Sequence, residues 1–504
     1  MNRAKPVGLP VLPRYGAAVA YPAPSAALLD RLRDRLGPRG FTTDAADLAP
    51  WLTDWRRRLT GSAAALVSPA DADEAAFVVR EAAAEGVAVV PQGGNSSMVA
   101  GATPAGLGGD RRALLVSLRR MDRVRSVSTE DDAMVAEAGV VLADLHAAAE
   151  RAGRRFPLSL AAKGNATIGG LVSTNAGGTQ VLRFGPMRSL VLGLEAVLPD
   201  GSRLNGLAPL RKDNRGYALD QLLIGGEGTL GLVTAATLRL VPAIGARAVA
   251  WVGLARAQDA LELLRMLEAS LGDAVESFEL VPDEGLALVL RHVPDTRTPL
   301  GGAHPWHVLI EAVTPGDAPI GERLGEALVL AIDRGLAGDA TVARSEAQAD
   351  ALWKLRESLS EAEARDGLAA KHDVAVPVSR MPAFMAEAAA AVTRRFPGAR
   401  PIAFGHLGDG NVHFNVRAPV GGDDRAWFAA QGAAVSAFVH RFVTDAGGTL
   451  SAEHGIGRLK RADFMDLADP ARLAAMRAIK RALDPKGIMN PGALLPLANG
   501  PPAP

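Results

Sequence analysis

Glycine falls in three separate clusters in the first half of the chain, and these clusters limit the fold more than any other feature. They are PQGGNSSMVAG (91–101), KGNATIGGLVSTNAGG (163–178) and LIGGEGTLG (223–231). A strand that runs into glycines presents several backbone N–H groups without side-chain bulk, as phosphate oxygens require. The first cluster is neither a Rossmann fingerprint nor a Walker loop. A plain glycine turn remains an alternative for the first cluster, but the glycines of the second are too many for one turn, and the three clusters together predict one extended ligand.

The residues around the clusters alternate between short apolar runs and amphipathic helices. Ala64–Ser68 and Val87–Val90 read as strands on either side of a capped helix, Asp71–Gly86, which is a βαβ unit. Further strands are predicted at Leu114–Ser117 and Ala133–Glu137. The glycine clusters at the ends of such elements indicate a ligand that spans two small subdomains.

From Ala246 the pattern changes to β-α-β passages, which predict an antiparallel sheet covered by helices on one side. At 504 residues the chain exceeds what a single core usually supports. The predicted fold class is α+β. The predicted divisions are a leader (1–40), a ligand-binding domain of two α+β subdomains (41–245), a substrate or cap domain (246–446) and a C-terminal segment (447–504).

The stretch FGHLGDGNVHFN (404–415) places two histidines symmetrically about a predicted turn. Asp409-Gly410 predicts a two-residue hairpin loop in which His406 faces His413 and Leu407 faces Val412. Opposed residues have Cβ atoms about 5 Å apart, so both imidazoles can reach one metal ion, with Asn415 on the same face. A solvated hairpin is an equal alternative on this stretch alone. SAEHG (451–455) offers Glu453 and His454 as further ligands.

Composition removes several classes of function. Lys+Arg and Asp+Glu both number 55, which gives no bulk electrostatic reason to expect nucleic acid or an anionic membrane as partner. Cysteine is absent, so thiolate metal sites, iron–sulfur clusters, disulfides and a catalytic thiol are excluded. No signal helix and no apolar run of about eighteen residues is present, and prolines such as Pro6, Pro10 and Pro13 punctuate the start, so a cytoplasmic protein without a transmembrane segment is expected.

Six motifs in order resemble the FAD-linked oxidases of the vanillyl-alcohol-oxidase fold, in the branch of D-2-hydroxyacid dehydrogenases. The resemblance runs from about Trp51 to Pro496 and is closest to the D-2-hydroxyglutarate dehydrogenases. It rests on PQGGNSSM, KGNATIGGLVSTNAGG, RKDNRGYALDQLLIGGEGTLG, FGHLGDGNVHFN, SAEHGIG and LDPKGIMNP.

The resemblance implies FAD bound across the two subdomains, with a C-terminal segment that returns to the flavin. The loop 91–101 has no His, Cys or Tyr for covalent attachment, so dissociable FAD is expected. The implied cofactor-binding residues are Pro91, Gly93, Gly94, Asn95, Ser96, Ser97, Gly164, Gly169, Asn175, Gly226, Gly228 and Asn490.

The resemblance also implies a divalent metal, expected to be zinc, on His406, His413 and Glu453. Asn415 and His454 would contact the substrate, with His454 as the base that takes the hydroxyl proton. Arg356, Ser360 and Lys371 match the residues that hold the substrate carboxylates. Arg356 and Ser360 are i and i+4 on the predicted helix Gln348–Asp366 and would share one face, although without the resemblance a solvated charged helix would be the better interpretation.

These features predict oxidation of a D-2-hydroxy dicarboxylate, D-2-hydroxyglutarate to 2-oxoglutarate, with electrons passed to an electron-transfer flavoprotein or a quinone. A D-lactate or glycolate dehydrogenase is a rival of the same class. A flavin-free metal hydrolase and a subunit that binds flavin only for assembly are rivals of other classes, and homodimerisation is left open. The remaining histidines lack partner spacing and are expected to be structural or surface residues: His146, His292, His304, His307, His372 and His440.

Overall fold

The first sheet has four strands, in the order Phe41–Thr42, Ala65–Val67, Ala113–Ser117 and Ala88–Gln92, of which the last three are parallel. A computed structural model describes residues 20–497. The crossover helix Ala72–Glu85 is capped by the Asp71 carboxylate, which accepts the Glu74 N–H, and it ends at Gly86 with φ +69°. The βαβ unit is therefore present as predicted. The limits of its helix could be predicted because Asp71 and Gly86 are typical N-cap and C-cap residues.

The helix Ala26–Leu36 packs against the first sheet. Leu28, Leu32 and Leu36 are buried in the same core as the first sheet, because an i, i+4, i+8 leucine stripe needs an apolar partner surface. The residues before 20 and after 497, which include Pro6, Pro10, Pro13 and most of the Pro-rich end, lie outside the described part.

The second sheet is antiparallel and has five strands, in the order Val124–Ser128, Ala133–Glu137, Leu232–Arg239, Val191–Val197 and Arg203–Asn205. Helices Leu142–Arg151 and Ile168–Thr174 pack their apolar sides in its core. The first two sheets thus provide the two small α+β subdomains that the glycine clusters predict. Shorter elements complete them: Ala45–Leu48, Ala49–Trp51, Arg154–Arg155, Val181–Phe184, Met187–Leu190, Asp220–Leu223 and Val241–Pro242.

The third sheet has seven strands, all antiparallel to their neighbours. One face is apolar and is covered by four long helices. The strand order is Asp339–Val342, Ala246–Leu254, Trp306–Thr314, Val275–Pro282, Arg400–His406, Asn411–Arg417 and Ala369–Ala375, and the four helices are Ala257–Leu271, Ile320–Asp333, Met381–Arg395 and Asp424–Asp445.

Helices also cover part of the opposite face, so the expectation of helices on one side only is wrong. Central strands of this sheet are apolar on both faces: Trp251 and Leu309 are buried on the second face. Helices Asp283–His292, Glu346–Glu357 and Leu359–Asp366 pack there. The last two were predicted as one helix, Gln348–Asp366, but the helix is interrupted at Ser358.

The C-terminal segment returns to the first sheet. After helices Arg461–Leu467 and Pro470–Leu483, the Asn490 N–H donates to the carbonyl of Val89 at 2.8 Å, and Ile488 and Met489 are buried in the core of that sheet. Within residues 20–497 no helix has both the length and the apolar content that a bilayer crossing demands.

Candidate active site

The histidine hairpin has a longer loop than the sequence predicts. His406 lies opposite Asn411, and Phe404 lies opposite His413, so the loop contains the four residues 407–410. The predicted pairings of His406 with His413 and of Leu407 with Val412 are wrong, because the His406 carbonyl already accepts the Gly410 N–H at 3.1 Å. The register differs by two residues, and two is the side-chain period of a strand. Both imidazoles therefore remain on one face, with ring centroids 5.4 Å apart.

The structure brings the three predicted metal ligands together. Ligand atoms of His406, His413 and Glu453 all lie within 4.8 Å of one another. Glu453 lies on the loop that follows helix Asp424–Asp445, and its carboxylate forms no hydrogen bond within the described residues. A Cβ atom added at Gly177 would lie 2.8 Å from Oε1 of Glu453. The second glycine cluster therefore borders the ligand cluster directly.

Each histidine of the hairpin faces a buried carboxylate on the neighbouring strand. Glu279 pairs with His406 in the register of the sheet, and Asp373 pairs with His413. Neither carboxylate was identified from the sequence. The available signal is an acidic residue inside an apolar strand, SFELV for Glu279 and KHDVAV for Asp373, and such a residue needs a charged partner when buried.

Glu279 links His406 to Arg356. Its Oε1 lies 2.5 Å from Nδ1 of His406, and its Oε2 accepts from Nε of Arg356 at 2.8 Å. Burial alone raises the pKa of Glu279, but the charges of Arg356 and His406 outweigh it and lower that pKa to about 2. Burial alone lowers the pKa of His406, but Glu279 raises it to about 9. Without a metal, His406 is therefore held as a cation whose Nδ1 is fixed.

His413 and Glu453 show the opposite tendencies. Burial and the charge of His406 lower the pKa of His413 to about 3, so this imidazole keeps a free lone pair. Burial raises the pKa of Glu453, although His406 opposes that effect. His406 is thus cationic, His413 is neutral, and Glu453 tends to keep its proton. A divalent cation that binds here would displace the protons of His406 and Glu453, so that all three side chains become ligands.

Asp373 organises the loop that carries His454. Its Oδ2 accepts the backbone N–H groups of Glu453 and His454, both at 3.0 Å, and its Oδ1 accepts from Asn411 at 2.9 Å. The same Oδ2 lies 3.4 Å from Nδ1 of His454. Burial lowers the pKa of His454, with Asp373 opposing and Lys460 assisting, so the imidazole is neutral near pH 7 and able to accept a proton.

The predicted carboxylate-binding residues divide into two groups. Arg356 is buried against Glu279, and its guanidinium carbon lies 5.1 Å from the centre of the Phe404 ring. Ser360 lies beyond the break at Ser358, so the two residues do not share one helix as expected. Its carbonyl oxygen lies 3.4 Å from Nζ of Lys371. The structure therefore places Ser360 beside Lys371, and Arg356 beside Glu279, the carboxylate that also contacts His406.

Lys371 and Asn415 are directly opposed on neighbouring strands, on the same face as His413. Nδ2 of Asn415 donates to Oε2 of the buried Glu363 at 2.6 Å, and Nζ of Lys371 lies 3.7 Å from the same oxygen. Oε1 of Glu363 is buried without a partner. Glu363, too, was not identified from the sequence, and it orients two of the predicted substrate-binding residues.

The first glycine loop has the properties of an anion site. No hydrogen bond within residues 20–497 uses the N–H groups of 93–97, whereas the carbonyls of Gly93 and Gly94 accept from the Arg119 guanidinium at 3.3 Å each. Cβ atoms added at these glycines would collide with Thr167 and Asn165. Oγ1 of Thr167 is buried without a partner. Consecutive free N–H groups beside an unpaired hydroxyl fit the phosphates of a dinucleotide.

Other predicted cofactor-binding residues hold the glycine loops in place by close packing and by hydrogen bonds to other protein groups. A Cβ added at Gly228, where φ is +70°, would collide with Pro91, and one at Gly169 would lie 2.7 Å from Cβ of Ala138. Asn175 accepts the Arg188 N–H at 2.9 Å. Asn490 donates to the carbonyls of Gly101 and Glu227 at 2.9 and 2.7 Å. The other two predicted glycines differ in their space: Gly164 has open space at its Cβ position, whereas Gly226 packs on the carbonyls of residues 222 and 223.

The polar residues of the first glycine loop bond to nearby backbone. Nδ2 of Asn95 donates to the carbonyl of Thr53, and Oγ of Ser97 accepts the N–H groups of Val99 and Gly101. Ser96 is half-buried.

His372 illustrates the histidines without partner spacing. It lies between Lys371 and Asp373 but points to the opposite, helix-covered face, where its ring nitrogens bond to the Phe414 carbonyl and the Ser436 hydroxyl. The remaining five form no group of three ligands with other His, Asp or Glu side chains among the described residues: His146, His292, His304, His307 and His440.

Comparisons with known proteins agree with this arrangement. Residues 63–206 match the family described as FAD binding domain, and residues 245–494 match FAD linked oxidases, C-terminal domain. The mitochondrial D-2-hydroxyglutarate dehydrogenase of Bos taurus is 38% identical over 465 residues, 92% of this chain and 82% of the relative. The D-2-hydroxyglutarate dehydrogenase of Xanthomonas citri pv. viticola is 36% identical, covering 91% and 95%.

The solved structure of p-cresol methylhydroxylase with substrate bound aligns with a TM-score of 0.71, at 14% identity, over 94% of this chain and 97% of that one. At that identity the likeness shows the fold alone, which is the vanillyl-alcohol-oxidase fold of flavoproteins. Within this class, the chain belongs to the FAD-linked D-2-hydroxyacid dehydrogenase family that includes the D-2-hydroxyglutarate dehydrogenases. The resemblance and the α+β fold are confirmed, and the alternative of a flavin-free hydrolase is wrong.

Proposed function

We propose that this enzyme oxidises D-2-hydroxyglutarate to 2-oxoglutarate, with FAD as hydride acceptor and zinc at the substrate hydroxyl. The observation that carries the proposal is the cluster of His406, His413 and Glu453 directly beside His454, in a cleft bordered by Gly177 of the FAD-binding half. Relatives named D-2-hydroxyglutarate dehydrogenase support the choice of acid.

The donor set fits a catalytic metal. Two imidazoles and one carboxylate are a typical ligand set for zinc that keeps positions open for substrate. Histidine ligands usually bond through the second ring nitrogen to a carboxylate, and Glu279 occupies that position at His406. The Glu453 carboxylate forms no hydrogen bond within the described residues, so it is available as a ligand.

When bound, FAD supplies the hydride acceptor, and the metal supplies a charge that lowers the pKa of the substrate hydroxyl. The protein contributes the proton transfer and the orientation. His454 takes the hydroxyl proton as a neutral imidazole, and Asp373 holds it in place and stabilises the imidazolium that forms. Asn415 and Lys371 contact the substrate from the sheet, and Ser360 flanks Lys371.

Further features of the proposal rest on the sequence. FAD is bound without a covalent link, since the chain has no cysteine and the loop 91–101 offers no His or Tyr. Electrons pass to an electron-transfer flavoprotein or a quinone, and the enzyme acts in the cytoplasm as a monomer or a homodimer, although the eukaryotic relatives are named mitochondrial. Domain limits near 40, 245 and 446 belong to the proposal as well.

Anaerobic bleaching of the flavin tests the proposal directly. Purified enzyme is mixed with D- and L-2-hydroxyglutarate, D-malate, D-lactate and glycolate, with and without a chelator. We expect rapid bleaching with D-2-hydroxyglutarate and slow bleaching after metal removal, restored by zinc. Faster bleaching by D-lactate or glycolate would favour the rival substrate, and bleaching that ignores the chelator would contradict the role of the metal.

A further inference from the structure

Glu227 of the third glycine cluster is buried, and its carboxylate reaches the loop that carries Glu453 and His454. Its Oε1 accepts the backbone N–H of Ile456 at 2.8 Å, and its Oε2 accepts the backbone N–H of Gly457 at 2.7 Å. In sequence, Glu227 directly precedes the central strand of the second sheet, Leu232–Arg239. A residue of the FAD-binding half therefore holds a loop whose side chains serve the proposed metal site.

The other end of this loop is held by Asp373 of the third sheet, which accepts the backbone N–H groups of residues 453 and 454. Four of the five N–H groups in 453–457 are thus bound to two buried carboxylates, one from the second glycine-rich half and one from the third sheet. The Glu453 carboxylate forms no hydrogen bond within the described residues. The position of this carboxylate therefore depends on how the backbone of its loop is held.

The backbone of Glu227 connects the three glycine clusters with one another. Its N–H donates to the carbonyl of Ser173, in the second cluster, at 2.8 Å. Its carbonyl accepts from Nδ2 of Asn490 at 2.7 Å, and the same amide group donates to the carbonyl of Gly101, in the first cluster, at 2.9 Å. Glu227 is therefore joined, directly or through Asn490, to every segment that is expected to hold FAD.

The contact between Glu227 and the loop restricts the backbone on both sides. Glu227 has a φ of +50°, which is uncommon for a residue other than glycine and persists where the surrounding contacts hold it. On the loop, a Cβ added at Gly455 would lie 2.9 Å from Oε1 of Glu227. The carboxylate thus occupies space that a side chain at residue 455 would need.

We propose that Glu227 is a positioning residue, which fixes the loop of Glu453 and His454 relative to the glycine clusters and so links FAD binding to metal binding. This inference rests on the proposed function for the identity of its two ligands. FAD on the three clusters would order the backbone of Glu227, and a metal on Glu453 would order the loop that Glu227 holds. Because each ligand orders residues that the other also needs, each one raises the affinity for the other.

The wild-type holoenzyme tests this linkage without any substitution. Serial dilution followed by flavin fluorescence gives the Kd of FAD with zinc bound, after treatment with a chelator, and after zinc is added back. We expect the Kd of FAD to be about 5- to 100-fold lower with zinc bound, and the added zinc to restore it. Equal Kd values of FAD in enzyme that does bind zinc would overturn the linkage.

Glu227→Gln tests the residue itself, and Glu276→Gln is the matched control. The glutamine amide keeps the size of the side chain but presents an NH2 group in place of one acceptor oxygen, so at least one of the two hydrogen bonds to the loop is lost. Glu276 is also buried, and it pairs with Arg155 and Arg183 of the FAD-binding half. Among the described residues, its carboxylate forms no hydrogen bond to the loop 453–457.

We expect Glu227→Gln to raise the Kd of zinc about 10- to 100-fold, measured by chelator competition, and to remove most of the effect of zinc on the Kd of FAD. Glu276→Gln leaves both quantities unchanged, although it loses a buried ion pair. Values in Glu227→Gln that equal those of wild type, or equal losses in the two variants, would overturn the role of Glu227 while the proposed function stands. A wild-type enzyme that oxidises D-2-hydroxyglutarate at full rate without bound metal would overturn the metal assignment itself, and this inference with it.

Discussion

Replacement of Glu279 by glutamine isolates the electrostatic interaction between Glu279 and the proposed metal ligand His406. In the folded protein the pKa of Glu279 is about 2, compared with an ordinary value of about 4.3. A difference of about 2 units corresponds to about 3 kcal/mol of stability. Because the folded-state pKa is the lower one, this stability is present above about pH 4.5 and is lost as the pH falls toward 2. Glu279→Gln removes it at every pH and leaves Arg356 buried without a counter-ion.

Urea unfolding of the chelator-treated protein at pH 7, followed by tryptophan fluorescence, measures this effect. We expect Glu279→Gln to lose about 3 kcal/mol, and the double variant Glu279→Gln/Arg356→Met to recover most of that loss, because no charge then remains unpaired. A loss below about 1 kcal/mol, or a double variant less stable than either single variant, would refute the reasoning.

We expect the same variant to weaken zinc binding at the proposed metal site in a way that a loss of stability alone does not explain. Zinc affinity is measured by chelator competition near pH 9.5, where the proton on His406 no longer competes, and we expect a 10- to 100-fold loss. Glu311→Gln is the matched control. Glu311 is buried on the same sheet and bonds to Trp353 and Arg247, so its loss costs stability but leaves zinc affinity unchanged.

Three further perturbations test other parts of the structure. Asp373→Asn lowers kcat about 100-fold, measured by stopped-flow bleaching, because Asp373 orients His454. Gly228→Ala lowers the FAD content, read from the ratio of absorbance at about 450 and 280 nm, because the new Cβ displaces Pro91. His372 has a folded-state pKa of about 3, so the protein loses about 2 kcal/mol of stability between pH 7 and pH 5 as the unfolded state takes up a proton, and His372→Asn removes that slope in urea titrations.

Each of these has an outcome that would contradict it. Asp366→Asn, which changes a carboxylate at the end of a helix that pairs with Arg417 of the sheet, should leave kcat unchanged, and an equal loss there would remove the special role of Asp373. Gly106→Ala adds a Cβ at a similar φ of +74° into open space, so equal FAD loss would point to backbone strain alone. Identical pH slopes with and without His372 would assign the acid sensitivity to other groups.

The parts of the fold that the sequence predicted correctly have local causes. The helix Ala72–Glu85 begins and ends where Asp71 and Gly86 cap it, and both caps are readable without any knowledge of tertiary structure. The break at Ser358 has no such signal. It divides a continuous helical pattern into Glu346–Glu357 and Leu359–Asp366, and both helices pack on one face of the sheet.

The supporting carboxylates could not be predicted, because their roles depend on which strands are neighbours. Glu279 lies 127 residues before His406, and only the sheet order brings the two strands together. In the sequence Glu279 is one of 55 acidic residues. Its burial between Phe278 and Leu280, which point to the opposite core, becomes informative once the strand is known to be internal.

The position of the ligands depends on the strand period more than on the hairpin loop. A one-residue error in register would have sent His413 into the helix-covered core, whereas the actual difference of two residues keeps both imidazoles in the cleft. The two strands that flank the hairpin then supply Glu279 opposite His406 and Asp373 opposite His413. The hairpin therefore carries the predicted ligands, and its neighbours determine their protonation. A change in either flanking strand should alter the acid–base behaviour of the site without moving a predicted ligand.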